Sequence, residues 1–180
     1  MELPNRRWLL KAALGACAAL GVTPAVARAV AFSPVRSLSF DNLHTGERLS
    51  ATYWEGGAYL PDASRQIEWL LRDFRANEVH PIDPKLLDLL YALSATLPAK
   101  ATYQVISGYR SPVTNAMLRA ASDGVAAHSL HTQGMAIDVR VPGIVLARLR
   151  DNAKSLQGGG VGYYPRSDFV HVDVGRVRTW

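Results

Sequence analysis

Two short segments in the last third of the chain constrain the fold more than any other feature. M-A-I-D-V-R-V (135–141) and F-V-H-V-D-V (169–174) are rich in β-branched residues, which is typical of strands. In the first segment Ile137, Val139 and Val141 share one face, because side chains alternate along a strand. Asp138 therefore points away from the more apolar face. His171 lies in the middle of the second segment, which we predict to be the final strand.

The segments before residue 100 predict a hairpin and two helices whose role is packing. Residues 36–60 alternate polar and apolar residues around H-T-G-E, which predicts a β-hairpin with Gly46 in its turn. A helix is predicted to open at Pro61, and a second one at Pro84 with Asp83 as its cap. Their apolar positions follow helical spacing: Ile67, Leu70, Leu71 and Phe74 in the first, and Leu86, Leu87, Leu90, Leu93 and Leu97 in the second.

The remaining segments complete an α+β pattern. Residues 103–107 form a short predicted strand, Ser111 and Pro112 open a helix, and residues 145–156 are helix-like. We interpret the glycine-rich residues 158–165 as a loop. The expected fold is α+β: a small, mostly antiparallel sheet with two to four helices, in one domain. Residues 31–180 would form that domain, with a hairpin at 31–60, helices at 61–100 and, at 101–180, the core that carries the candidate site residues described below.

The first 30 residues differ from the rest in composition. Arg6 and Arg7 precede an Ala/Gly/Leu-rich stretch and then the small-residue segment T-P-A-V-A-R-A-V-A. This order predicts a secretory signal peptide, and N-R-R-W-L-L-K resembles the twin-arginine signal that is read by the twin-arginine export machinery. The apolar stretch is too weak for a spanning helix, so no mature transmembrane segment is expected. The protein is thus expected in the periplasm or cell envelope.

The single cysteine and the net charge limit the kinds of chemistry and the binding partners that we expect. Cys17 lies inside the leader, in a box like that of bacterial lipoproteins, but Lys11 interrupts the apolar run and we do not expect a lipid anchor. A leader cut after Ala29 removes four basic residues and one acid, which leaves a net charge of +2 from +5. The mature chain would have no thiol, and its mild charge gives no case for nucleic-acid binding.

Three side chains form a candidate metal site. If the two strands are neighbours, the imidazoles of His131 and His171 can converge with the carboxylate of Asp138. Two histidines and one carboxylate suit Zn²⁺ with a fourth position open, and such a site lowers the pKa of water and polarises a carbonyl. The alternative is that each histidine is an ordinary core or surface residue.

The motifs around these residues resemble a known family. S-x-H-x-x-G-x-A-x-D (129–138) resembles the zinc motif of the D-Ala-D-Ala carboxypeptidase and hedgehog-like metallopeptidases, and S-G-Y-R-S (107–111) their substrate-side arginine motif. L-H-T-G-E, I-D-P-K-L-L-D-L-L, G-V-G-Y-Y-P, D-F-V-H-V-D and G-R-V-R-T-W together resemble the YcbK-like murein endopeptidase K branch. The likeness covers nearly all of the predicted mature chain.

This resemblance implies a role for each matching residue. His131, Asp138 and His171 would bind one zinc ion, Arg110 would stabilise the oxyanion, and Ser129 would line the substrate cleft. The general base is open between two acids. Asp168 stands three residues before His171, as in the family's E-x-x-H pattern, but it must leave the regular strand to reach the site. Asp173 shares a face with His171, so it is the rival, either as the base or as the carboxylate that orients an imidazole.

The implied activity is zinc-dependent hydrolysis of peptidoglycan cross-links, with the L-D linkage of 3-3 diaminopimelate cross-links expected. Arg110, Arg119 and Arg140 are compatible with a substrate that carries free carboxylates. Two alternatives remain: a D,D-carboxypeptidase that trims terminal D-Ala, and a non-catalytic murein-binding domain. No chemical role is expected for His44, and His128 is expected at the surface.

Overall fold

The computed structural model of the protein describes residues 33–98, 101–121 and 124–180. The expectations for the leader at 1–30, including the twin-arginine signal and Cys17, lie outside these residues. Within the described ranges, no helix is both long enough and apolar enough to cross a membrane.

One eight-stranded sheet is the framework of the fold. Its spatial order is β3-β2-β1-β4-β5-β7-β6-β8, and all neighbours are antiparallel except β1 with β4 and β6 with β8. The strands are β1 (Val35–Asn42), β2 (Arg48–Glu55), β3 (Ala58–Tyr59), β4 (Thr102–Ser107), β5 (Ala136–Arg140), β6 (Gly160–Tyr164), β7 (Phe169–Asp173) and β8 (Arg178–Thr179).

Four α-helices and one 3-10 helix accompany the sheet in the described residues. They are α1 (Pro61–Leu70), α2 (Pro84–Ala95), α3 (Pro112–Ala121), the 3-10 helix Leu130–Gln133 and α4 (Leu146–Leu156). Asp83 caps α2 by accepting from the backbone N–H of Lys85, and the Ser111 hydroxyl accepts from Thr114 N at 3.2 Å. The α+β class, the first hairpin and both caps are therefore as the sequence predicts.

The core lies between one face of the sheet and the helices. Ile137 and Val139 of β5 are fully buried, as are Leu86, Leu90 and Leu93 of α2. The opposite face of β5 carries Asp138 and Arg140, in agreement with the alternation in the sequence. The core thus occupies one side of the central strands and leaves their other side to polar groups.

Two expectations for the C-terminal third are wrong. Residues 158–165 are not a loop, because Gly160–Tyr164 form β6 between β7 and β8. The segment 169–174 is also not the last strand, since β8 follows it. A Cβ at Gly160 would lie 2.4 Å from the Asp173 carboxylate, and one at Gly162 would lie 2.7 Å from the indole of Trp180. These glycines allow other side chains to pack closely against the strand. A glycine-rich sequence alone does not distinguish such a strand from a loop.

The first predicted helix is shorter than its apolar spacing suggests. It ends at Leu70, and Leu71 is its buried C-cap residue. Phe74 lies beyond the helix and stacks on His44 with ring centroids 4.1 Å apart. The turn that follows α1 therefore brings Phe74 to the first hairpin instead of continuing the helical stripe.

Candidate active site

The register of two neighbouring strands brings an acid and a histidine together. β5 and β7 pair antiparallel with Asp138 opposite His171, and both side chains are almost fully buried. Directly opposed residues project from the same face of a sheet and lie within side-chain contact. The pairing of these strands, on which the sequence-based metal site depended, is thus present.

A tight turn adds His131 to this pair. The residue lies in the 3-10 helix Leu130–Gln133, which ends at Gly134 with φ +66° in the left-handed region. A Cβ at Gly134 would lie 2.1 Å from the carbonyl oxygen of Pro81. Glycine is required here both for the backbone conformation and for the close approach of Pro81. The turn leads directly into β5 and so fixes His131 beside Asp138.

Three donor atoms of these residues form a compact triangle. His131 Nε2 lies 3.2 Å from Asp138 Oδ1 and 3.1 Å from His171 Nδ1, and His171 Nδ1 lies 2.9 Å from Asp138 Oδ1. In tetrahedral zinc sites with bonds of about 2.0–2.1 Å, ligand atoms lie about 3.3 Å apart. The triangle is within a few tenths of an ångström of that spacing, so this buried group can hold a metal ion.

The other nitrogen of each imidazole has an acceptor of its own. His131 Nδ1 lies 2.7 Å from the carbonyl oxygen of Gly108, which can only accept, so Nδ1 carries the proton. His171 Nε2 lies 3.1 Å from the carboxylate of Asp173 and donates to it. When both imidazoles are neutral, their ligand-side nitrogens therefore present lone pairs toward the oxygen of Asp138, and a cation is needed to make this arrangement favourable.

The protonation of these residues in the absence of a metal ion agrees with the need for a positive charge at the site. Burial opposes ionisation of Asp138, but the adjacent imidazoles outweigh it and hold the pKa of its carboxyl far below the usual range. Burial also lowers the pKa of His171, yet hydrogen bonds to Asp138 and Asp173 raise it to about 9. A proton on His171 thus supplies the positive charge that a metal ion would bring.

Asp173 is the buried anchor of His171. Its carboxylate accepts from the backbone N–H groups of Gly160 and Gly175 and from both terminal nitrogens of Arg178, at 2.7–3.1 Å. Burial alone would raise the pKa of Asp173, but these donors and His171 hold it far below the usual range. The carboxylate is therefore ionised and orients the His171 ring.

Arg110 borders the cluster from the loop after β4. Its Nη2 atom lies 3.2 Å from Ser107 Oγ and 3.7 Å from Asp138 Oδ2, and burial lowers the pKa of the guanidinium. Its Nε has no hydrogen-bond partner within the part of the chain that the structure describes. Asp73 holds this loop by accepting from Ser111 N at 2.9 Å. The sequence interpretation missed Asp73, which has no motif beyond a lone acid after a helix.

Asp168 leaves the regular strand, as the sequence argument required. It precedes β7 with φ +53°, and its carboxylate accepts from Arg140 at 2.6 Å. Arg140 lies two residues from Asp138 on the same face of β5, and its Nε donates to Gln104. The Asp168 side chain is 61% exposed and does not line the cleft beside the cluster.

A cleft of about 330 Å³ opens onto the cluster. Arg110 and Ser129 line it, as expected, and the exposed His128 joins them at the rim. Arg119 lies on α3 and does not line the cleft. The cleft is also lined by Tyr164, Phe169, Arg178 and Trp180, each of which lies in a segment that carries the family resemblance. The sequence interpretation assigned no role to Phe169, Arg178 or Trp180.

Fold and site together define a class: an α+β protein with a buried His-Asp-His group, suited to a metal ion, at the floor of a cleft. The family model described as "Peptidoglycan L,D-endopeptidase MepK" matches residues 30–180. MepK of Escherichia coli (strain K12) is 47% identical over 179 residues, which cover 98% of this chain and 97% of that protein. The probable MepK of Haemophilus influenzae is 43% identical over 98% of this chain and 95% of its own length. The chain therefore belongs to the MepK family of peptidoglycan endopeptidases.

Proposed function

We propose that the protein is a zinc-dependent endopeptidase that hydrolyses the L-D linkages of 3-3 cross-links in peptidoglycan. Membership of its family makes it a peptidoglycan-cleaving peptidase, and the names of its relatives specify L,D-endopeptidase activity. One observation carries the proposal for the metal: three lone-pair donors meet within 2.9–3.2 Å, and both imidazoles have their other nitrogen hydrogen-bonded to an acceptor.

His131, Asp138 and His171 would bind the ion. Zinc suits this set because it takes nitrogen and oxygen ligands, and because three protein ligands leave a fourth position for water or substrate. When bound, it would lower the pKa of a water molecule and polarise the scissile carbonyl. Gly108 and Asp173 would keep the two rings oriented for binding.

Arg110 would stabilise negative charge on the scissile carbonyl oxygen. Its guanidinium lines the cleft, is mostly buried, and is held by Ser107 and by the ion pair with Asp138. A donor that is fixed before the reaction needs no rearrangement when charge develops, which is why such groups contribute strongly to catalysis. Ser129, buried in the cleft wall, would contact the substrate.

Asp168 is our candidate for the general base. Its backbone turns it out of the strand, and its ion pair with Arg140 holds the carboxylate toward the face of β5 that carries Asp138. The rival, Asp173, is fully buried, and both of its oxygens already accept hydrogen bonds. These contacts favour an orienting role for Asp173. They leave the accessible Asp168 as the carboxylate that accepts the proton of the water molecule.

The charge of the cleft supports a substrate with free carboxylates. Arg110 and Arg178 line it, whereas Asp138 is the one acid among its lining residues in the described part of the chain. Peptide cross-links of peptidoglycan carry such carboxylates. A peptidoglycan substrate is consistent with a location in the cell envelope, and we propose export to the periplasm through a cleaved twin-arginine leader at residues 1–30 without a lipid on Cys17.

Digestion of purified sacculi that contain both 4-3 and 3-3 cross-links tests the proposed bond. The zinc-loaded protein should remove 3-3 dimers, as read by mass spectrometry of the released muropeptides, and EDTA should prevent this. Loss of 4-3 dimers alone would move the activity to another bond, and release of terminal alanine alone would support the D,D-carboxypeptidase. Binding to sacculi without cleavage would support the non-catalytic domain.

A further inference from the structure

Trp180 is built into the wall of the cleft. Trp180 pairs with β6 through its backbone: its N–H donates to Val161 O, and its carbonyl oxygen accepts from Tyr163 N at 3.0 Å. Its indole N–H donates to the hydroxyl of Tyr164 at 2.7 Å. Trp180 is therefore held at both its backbone and its side chain.

A glycine leaves the space in which the indole lies. Gly162 pairs with His171 across β6 and β7, so the two residues share a face of the sheet. A Cβ at position 162 would lie 2.7–2.8 Å from three atoms of the indole. With no side chain there, the Trp180 ring lies over the backbone of Gly162, with its centroid 5.3 Å from that of His171.

Two more rings extend this surface. Tyr164 and Phe169 stack with centroids 4.6 Å apart, and both line the same cleft as Trp180. Trp180 nevertheless keeps half of its surface exposed. A large apolar ring that is fixed in place, exposed and adjacent to a reaction centre is a surface for contact with a ligand.

We propose that Trp180 is a specificity-determining residue, whose indole packs against the aliphatic part of the substrate residue on one side of the scissile bond. The ring takes no part in proton transfer, because its only polar hydrogen is donated to Tyr164. It acts by contact: together with Tyr164 and Phe169 it forms an aromatic wall, and it limits which residue fits between this wall and the His-Asp-His cluster. This inference rests on the proposed endopeptidase function and adds a residue to it.

Substitution of Trp180 has a matched control in the same chain. Trp69 of α1 is 49% exposed against 50% for Trp180, but it does not line this cleft. We expect Trp180→Ala to retain stoichiometric zinc and to raise KM for a soluble 3-3 muropeptide dimer tenfold or more, with kcat changed less than threefold. Trp69→Ala should leave both constants within twofold of wild type.

Gly162→Ala gives an independent route to the same effect. The added methyl group would displace the indole without removing it. We expect Gly162→Ala to raise KM, as Trp180→Ala does. The double variant should have the same KM as Trp180→Ala alone. A further tenfold rise in KM in the double variant, relative to Trp180→Ala alone, would mean that Gly162 acts through something other than the indole.

Failure of this inference is distinguishable from failure of the proposed function. If wild type cleaves the dimer and zinc-loaded Trp180→Ala has KM within twofold of wild type, the role of Trp180 is wrong. If wild type cleaves no dimer, the proposed function fails. Calorimetric titration of the same dimer then decides the inference, which requires tenfold weaker binding by Trp180→Ala and is overturned by equal binding.

Discussion

His171 donates its Nε2 proton to Asp173 across 3.1 Å, and this single contact determines which of its nitrogens faces the cluster. Since Asp173 is fully buried and also bound by Arg178, the ring has one favoured orientation. The Nδ1 lone pair is thereby directed at Asp138 and His131. The metal site consequently depends on a carboxylate that is not itself among the three proposed ligands.

Asp173→Asn should weaken zinc binding by about 10–100-fold, the range found when groups that orient a metal ligand are replaced. The amide cannot offer Arg178 the same charge, and it can present a donor to His171 where an acceptor is needed. Competition with a chromophoric chelator measures the affinity. Asp151→Asn, at an exposed ion pair with Arg150, is the control and should bind zinc like wild type. Unchanged affinity in Asp173→Asn would contradict the orienting role.

The metal-free protein should lose stability as the pH rises from about 6.5 to 9. His171 has a pKa of about 9 in the folded protein against 6.5 as its ordinary value, so its proton stabilises the fold fully below pH 6.5. That contribution disappears as the pH rises through 9. Thermal unfolding of EDTA-treated wild type and His171→Ala over this range measures it. The difference in Tm between them should shrink with pH, and a constant or growing difference would contradict the prediction.

Asp168→Asn should retain zinc and lose turnover by about two to four orders of magnitude, as expected for a general base. The side chain is 61% exposed, so the fold should tolerate the change. Zinc content and kcat on a soluble muropeptide dimer are the measurements. The result that reverses the assignment is a mild effect here together with a severe loss of kcat in zinc-loaded Asp173→Asn.

Gly134→Ala should be much more harmful than Gly46→Ala. Both glycines have positive φ, +66° and +72°, so a side chain costs each about 1–2 kcal/mol of backbone strain. Only at Gly134 does the new Cβ also meet an atom, Pro81 O at 2.1 Å, whereas nothing lies within 4 Å at Gly46. Chemical denaturation should show the larger loss for Gly134→Ala, together with weaker zinc binding because His131 moves. Equal losses would mean that the turn can relax.

Much of the site could be predicted from the sequence because its parts are local. The alternation around Asp138 and the position of His171 in a strand follow from side-chain periodicity, and the structure confirms both placements. The pairing of β5 with β7 had to be assumed, since no local pattern specifies which strands are neighbours. The resemblance to a family supplied what periodicity could not, namely that these residues belong together.

The C-terminal third shows where sequence patterns fail. Gly160 and Gly162 suggested a loop, but both lie in β6, where Asp173, Arg178 and Trp180 occupy the space that side chains at these two positions would need. Such contacts join residues that are far apart in the sequence and leave no periodic signal. For the same reason the aromatic wall of Tyr164, Phe169 and Trp180 could not be recognised before the strands were placed.

The most direct test of the central claim measures zinc content and cleavage of sacculi together in wild type, His171→Ala and His128→Ala. His171 belongs to the triangle of donors, whereas His128 lies at the rim of the same cleft and provides a matched control. We predict one zinc per chain for wild type and His128→Ala, EDTA-sensitive loss of cross-linked dimers for wild type, and loss of both the zinc and the cleavage in His171→Ala. Stoichiometric zinc or undiminished cleavage in His171→Ala would contradict the account.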